Sequence, residues 1–138
     1  MKEKIPLGAK FQHDFSFSQA DVQAFADLTG DHNPIHLDPE YAATTKFKVP
    51  IIHGHLSSSV FTRFLGMEVP GGPGSIYMKQ ETEYLRPMTE DTPYQVVFEV
   101  IEIDANRHIA KIATQVINKE TGKMTIRGTG TLMNEELY

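Results

Sequence analysis

The stretch GDHNPIHLDPEYAATTKFKVPIIHGHLSSSVFTRFLG, residues 30–66, decides how this chain folds. Its first ten residues are dense in helix breakers and turn formers, so 30–39 reads as a loop. Were residues 31–36 a regular helix, Asp31 and His36 would stand about 140° apart around its axis, at about 100° per residue. A loop can turn both side chains to one point. Asn33 precedes Pro34, which pushes it toward extended backbone. Asp38 and Pro39 read as an N-cap and a first helical residue, opening a short helix over 39–45. KFKVPII (46–52) reads as extended up to His53. From Gly54 onward, Leu56, Val60, Phe61, Phe64 and Leu65 recur at helical spacing, which predicts a central helix over 54–65. Three consecutive serines, Ser57 to Ser59, are mediocre helix formers, so burial must hold that helix together. Gly66 and the glycine pairs around 71–74 mark the loop after it.

Outward from this stretch the pattern changes period. Upstream, KFQHDFSF (10–17) alternates, with Phe11, His13, Phe15 and Phe17 on one face of a strand. Ser18 can cap a helix with Asp21 at its third position. Val22, Phe25, Ala26 and Leu28 give that helix an apolar stripe, and Gly30 stops it. Downstream, 75–85, 92–103, 108–118 and 124–133 carry β-branched and aromatic residues in partial alternation, separated by turns. A strand, then helices, then about four antiparallel strands is an α+β order, with helices packed on one face of a single sheet. The length of 138 residues leads us to expect one domain over 1–138.

Composition excludes several functions. Lys plus Arg number 13 against 18 Asp plus Glu, a net charge of −5. That sign repels phosphate backbones and no basic run stands out, so no nucleic-acid partner is expected. No run of about 18 apolar residues is present, so no membrane span is expected. The opening MKEKIPLGAK lacks the apolar stretch of a signal peptide. Cysteine is absent, which removes disulfides and thiolate chemistry. A cytoplasmic protein fits all of this.

The chemistry concentrates in two places. A carboxylate and an imidazole aimed at one water form an acid–base device, which makes Asp31 and His36 the candidate catalytic pair. Asn33 could orient the backbone or the imidazole. His53 and Gly54 stand at the start of the central helix, where free N–H groups and the positive end of the dipole gather. Gly54 has no Cβ, so a carbonyl could approach its N–H closely and form an oxyanion site. Each residue also has a structural use. Asp31 can make an Asx-turn, His36 can be a satisfied structural histidine, and the stripe 56–65 is core first. Four histidines, His32, His36, His53 and His55, lie near Asp31 and Asp38, and imidazole is a common metal ligand. The pair at 32 and 36 falls across Pro34, and the pair at 53 and 55 converges only if extended. No metal and no cofactor are expected.

These residues form an ordered set. Asp31, Asn33, Pro34, His36, Ala43, Phe47, Pro50, His53 and Gly54, with YLRPM at 84–88, resemble the MaoC-like (R)-specific enoyl-CoA hydratases. The resemblance covers most of the chain and is most specific over 25–66. It implies a hot-dog fold, a curved antiparallel sheet wrapped around a central helix, and a homodimer. It implies syn addition of water to a trans-2-enoyl thioester, giving the (3R)-hydroxyacyl product, or the reverse dehydration. On that reading Asp31 and His36 hold and activate the water, and the Gly54 N–H binds the thioester oxygen. Asn33, His53, Phe61, Thr62 and Leu65 would contact substrate. Thr62 stands where a small serine is expected, and the bulk of Phe61, Thr62, Phe64 and Leu65 suggests short acyl chains.

The substrate would be an acyl-CoA or an acyl-carrier-protein thioester. Both are anionic, so basic residues must converge on the site, and Lys46, Lys48, Arg63, Lys79 and Arg86 are available. Two other readings compete. A hot-dog thioesterase usually takes its carboxylate from the central helix, but 54–65 contains no Asp or Glu. A non-catalytic acyl-CoA-binding subunit would not need both Asp31 and His36.

Overall fold

The computed structural model describes residues 3–138. Strand β1, Lys10–Phe15, alternates as expected, with Lys10, Gln12 and Asp14 in solvent and Phe15 buried. Helix α1, Gln19–Thr29, starts on a full capping box between Ser18 and Asp21. It ends at Gly30 in the left-handed region, φ 81°, a conformation that costs glycine little. Val22 and Ala26 are buried, but Leu28, expected in the same stripe, is 85% exposed. Two residues on from Ala26, it points about 200° away around the helix.

The loop expected over 30–39 is only partly a loop, because Pro34–Leu37 forms a one-turn helix, α2. Asn33 caps it by accepting the Ile35 N–H, and Pro34 takes its first position, where its missing N–H costs nothing. Asp31 lies before that turn and His36 inside it, so the two were free to converge. Helix α3, Pro39–Ala43, begins as predicted on the Asp38 cap. The segment 46–52 is not an extended strand. It runs through turns, with Lys48 at φ 69°. Ile51 N–H bonds the Ile35 carbonyl and Ile52 N–H bonds the Met88 carbonyl, which ties this segment to α2 and to the strand connection.

The central helix is two helices. Helix α4 spans Gly54–Ser58 and α5 spans Val60–Met67. The break falls at Ser59, the last of the three serines. Its N–H is shared between the His55 and Leu56 carbonyls, and its hydroxyl donates to Leu56 O at 2.6 Å. Such local hydroxyl bonding competes with the helical ladder. Gly66, expected to end the helix, lies inside α5. A helical glycine costs about 1 kcal/mol. Val60, Phe61, Phe64 and Leu65 are all 3% exposed or less, and each such side chain gains about 1.5–3 kcal/mol on burial, so packing wins.

Four strands follow: β2 Ile76–Tyr84, β3 Tyr94–Asp104, β4 Ile109–Asn118 and β5 Met124–Met133. Their order is β1-β3-β4-β5-β2, and each pairing is antiparallel. The class is α+β, as expected. The buried α5 side chains share one core cluster with Val96, Phe98, Val100, Ile112, Ile126 and Leu132 of the sheet, and the Phe61 and Phe64 rings both meet Phe98 edge-on. Gly130 lets α5 come close, because a Cβ there would lie 3.4 Å from Leu65 and 2.8 Å from the Gln80 side chain. No helix among the described residues is long and apolar enough to cross a membrane.

Candidate active site

The carboxylate of Asp31 is set by backbone. Gly30 ends α1, and the Asp31 N–H bonds the Thr29 hydroxyl at 3.3 Å. Asp31 Oδ1 then accepts the Asn33 N–H at 3.2 Å. This is the Asx-turn considered from the sequence, and it coexists with a second role: Oδ2 is left facing His36, 3.9 Å from Nε2. Asn33 spends its side-chain oxygen on the α2 cap.

His36 is held from the other side. Its Nδ1 lies 2.7 Å from the Ile51 carbonyl. A carbonyl only accepts, so Nδ1 carries a proton, and in the neutral ring Nε2 offers a lone pair. That lone pair and Asp31 Oδ2 are two acceptors 3.9 Å apart. An oxygen placed about 2.8 Å from each would see them at about 90°, close to the angle between the two O–H bonds of water. The gap suits one water donating to both.

His53 builds the floor beneath this pair. It is 2% exposed. Its Nε2 donates to the Asp31 carbonyl at 3.0 Å, and its ring lies 3.9 Å from that of His36 and 4.8 Å from that of Phe25. Its Nδ1 is buried with no hydrogen-bond partner among the described residues. His53 also occupies the N-cap of α4 without capping it through its side chain. Among the described residues the Gly54 N–H therefore has no partner.

His36 and Gly54 line one pocket of about 350 Å³. Ile52, Ser57, Met88 and Ile126 are its buried floor, and Lys46, Tyr84, Leu85 and Arg86 are exposed at its mouth. Asp31, half-exposed, reaches His36 from the side and does not line this pocket. Donor atoms of Asp31, His36 and His53 all fall within 4.8 Å of one another. Ligands bonded to zinc at about 2.0–2.2 Å in a tetrahedron sit roughly 3.4 Å apart, so this trio would have to tighten to grip such an ion. His32 turns away, with Nε2 bonded to Asp27 at 3.0 Å.

Comparison with known proteins settles the family. A family model described as MaoC like domain matches residues 3–124. The chain belongs to the MaoC-like family. Similar proteins include an (R)-specific enoyl-CoA hydratase of Aeromonas caviae, 36% identical over 126 residues, which are 91% of this chain and 92% of the relative. An (R)-specific enoyl-CoA hydratase of Rhodospirillum rubrum is 34% identical over 132 residues, 95% of this chain and 89% of the relative. The solved structure of the (R)-hydratase from A. caviae superposes with a TM-score of 0.89 at 34% identity, covering 96% of this chain and 98% of that one. The chain has the hot-dog fold.

Within this MaoC-like chain the expected site residues separate into two groups. Asp31, Asn33, His36, His53 and Gly54 gather around the α1–α4 region described above. Phe61 and Leu65 are in the core, Thr62 is exposed, and none of the three lines the His36 pocket. Sequence reasoning missed Ile51, whose carbonyl orients His36, and Tyr84. A Cβ on Gly54 would lie 3.3 Å from the Tyr84 ring, and the Tyr84 hydroxyl is 2.9 Å from that of Ser58. Position 84 opens the YLRPM segment, the one signal that could have pointed to it.

Proposed function

We propose that this chain is an (R)-specific enoyl thioester hydratase, acting as one domain, and that Asp31, His36 and Gly54 carry the reaction. The observation that carries this reading is the 3.9 Å gap between Asp31 Oδ2 and His36 Nε2, beside a pocket that Gly54 also lines. A trans-2-enoyl thioester bound with its carbonyl oxygen on that N–H is polarised, which makes C3 electrophilic. The water held by Asp31 and His36 adds its oxygen to C3 as the pair withdraws a proton. Negative charge passes to the thioester oxygen, where the N–H and the start of α4 stabilise it. The pair then returns a proton to C2, so one water is consumed and the C2–C3 double bond is lost. Delivery of oxygen and proton from the same side gives syn addition. The 3R configuration is supported by the names of the relatives.

Ile52, Met88 and Ile126 offer an apolar floor for a short acyl chain. Phe61, Thr62 and Leu65 would set its length only from farther along the helix. The protein would work as a homodimer in the cytoplasm. β2 is an edge strand, and its Ile76 and Met78 are more than half exposed. The test is the loss of enoyl absorbance from crotonyl-CoA, with chiral analysis of the product. Formation of (3R)-hydroxybutyryl-CoA supports the reading. Release of free CoA thiol with no hydration would instead indicate a thioesterase.

A further inference from the structure

The charge of this chain is unevenly placed. Its net charge is −5, yet the pocket that holds His36 and Gly54 is lined by two cations, Lys46 and Arg86, and by no carboxylate. The other basic candidates, Lys48, Arg63 and Lys79, lie outside it. Both cations are exposed, whereas the floor is buried and, apart from Ser57, apolar, so the charge sits at the mouth. Each has a local partner that is not an acid. Lys46 Nζ lies 5.3 Å from the Phe47 ring centre, and Arg86 spends one N–H on the Met124 carbonyl at 2.7 Å. A guanidinium has five donors, so most of its fork stays available.

If the thioester carbonyl rests on the Gly54 N–H, the arm beyond sulfur must leave through this mouth. We propose that Lys46 and Arg86 are the docking site for the phosphate groups of that arm. This rests on the hydratase reading. A phosphate oxygen accepts well from both groups, as a point charge from Lys46 and through a fork from Arg86. The two sources of that chemistry are the nucleotide phosphates of CoA and the single phosphate of a carrier protein's phosphopantetheine.

The experiment measures kcat and KM for wild type, Lys46→Gln, Arg86→Gln and the double variant. The substrates are crotonyl-CoA, crotonyl-pantetheine, which has no phosphate, and a crotonyl thioester on a holo carrier protein. Each single change should raise KM for crotonyl-CoA about three- to tenfold, and the double change more, with kcat kept. Crotonyl-pantetheine should respond to none of them, which also shows that the variants fold. Wild-type KM for crotonyl-CoA should rise with salt, and the double variant's should not. A loss shared by the carrier-protein substrate assigns the site to the phosphopantetheine phosphate. A loss confined to crotonyl-CoA assigns it to the nucleotide phosphates. Equal losses on crotonyl-pantetheine, or no loss on either phosphate-bearing substrate, overturn the docking site. A wild-type protein that hydrates neither crotonyl-CoA nor crotonyl-pantetheine overturns the hydratase reading beneath it.

Discussion

The Nδ1–H of His36 donates to the Ile51 carbonyl at 2.7 Å, and this bond decides which nitrogen of the ring meets Asp31. Ile51 is itself tied to α2 through the Ile35 carbonyl. The segment 46–52 therefore braces the α2 turn that carries His36. Pointing Nε2 at Asp31 Oδ2 leaves two acceptors 3.9 Å apart, a spacing that the proposed general acid–base chemistry on one water requires.

His53 supports the pair through the Asp31 carbonyl. In His53→Phe the ring stays between Phe25 and His36, but the Asp31 carbonyl loses its donor. Two stability effects oppose: the lost bond costs about 1–3 kcal/mol, and removal of the buried, unpartnered Nδ1 returns a similar amount. The melting temperature should stay near wild type while turnover falls about tenfold or more, since Asp31 is no longer fixed. Wild-type turnover in this variant would show that His53 is only core.

The oxyanion role proposed for Gly54 is separable from its packing role. A Cβ at this position would press on the Tyr84 ring at 3.3 Å. Gly54→Ala adds that contact and keeps the N–H; Gly54→Pro adds it and removes the N–H. Proline is tolerated at a first helical position, so both should fold. Turnover of the proline variant should lie about 10²–10³-fold below that of the alanine variant. Equal activities would mean that the N–H does not serve the carbonyl.

How much of this was legible beforehand depended on the range of the signal. The strands were readable because alternation is local, as in Phe11, His13 and Phe15. The cap at Asp38 and the stop at Gly30 were equally local. Helix α2 was not, since Pro34 signals a breaker until Asn33 is seen to cap it and Ile51 to hold it. The break at Ser59 was hinted at by three serines, but its position depends on which hydroxyl bonds back. Asp31 and His36 were found through an ordered motif, whereas their convergence required the turn itself. Tyr84 lies thirty positions from Gly54, and no local pattern announces that contact. Thr62 was a pocket residue only through the resemblance, and in the protomer its side of α5 faces out.

The pairing of His32 with Asp27 gives a pH signature away from the site. The hydrogen bond to Asp27 raises the His32 pKa above its ordinary 6.5, helped by the Gly30 carbonyl and opposed by desolvation. The same bond, then one from Gln23, lowers Asp27 below 3.8. The stability His32 adds is complete below 6.5 and is lost as pH rises through its higher folded value. The part from Asp27 is complete above 3.8 and is lost as pH falls through its lower folded value. His32→Gln should therefore melt slightly below wild type at about pH 5.5 and level with it at about pH 9. The pair is exposed, so the difference is small. A gap that widens at high pH would contradict the pairing.

The proposed dimer has its own test. β2 leaves one side of its backbone unpaired in the protomer, an edge that folded proteins normally cover. Ile76 and Met78 on this strand are each more than half exposed. Sedimentation at micromolar concentration should give a particle of about twice the chain mass, and Met78→Lys should shift it toward the monomer. A particle of one chain's mass in wild type would remove the proposal.

The central claim is that Asp31 and His36 together move the proton of a bound water. In Asp31→Asn, Oδ1 can still accept the Asn33 N–H, so the turn and the fold should survive. The oxygen facing His36 can no longer act as a carboxylate. Hydration of crotonyl-CoA by this variant should fall by about 10²–10⁴-fold, the usual worth of a general base, with the melting temperature unchanged. A folded Asp31→Asn protein that hydrates crotonyl-CoA at close to the wild-type rate would contradict the account.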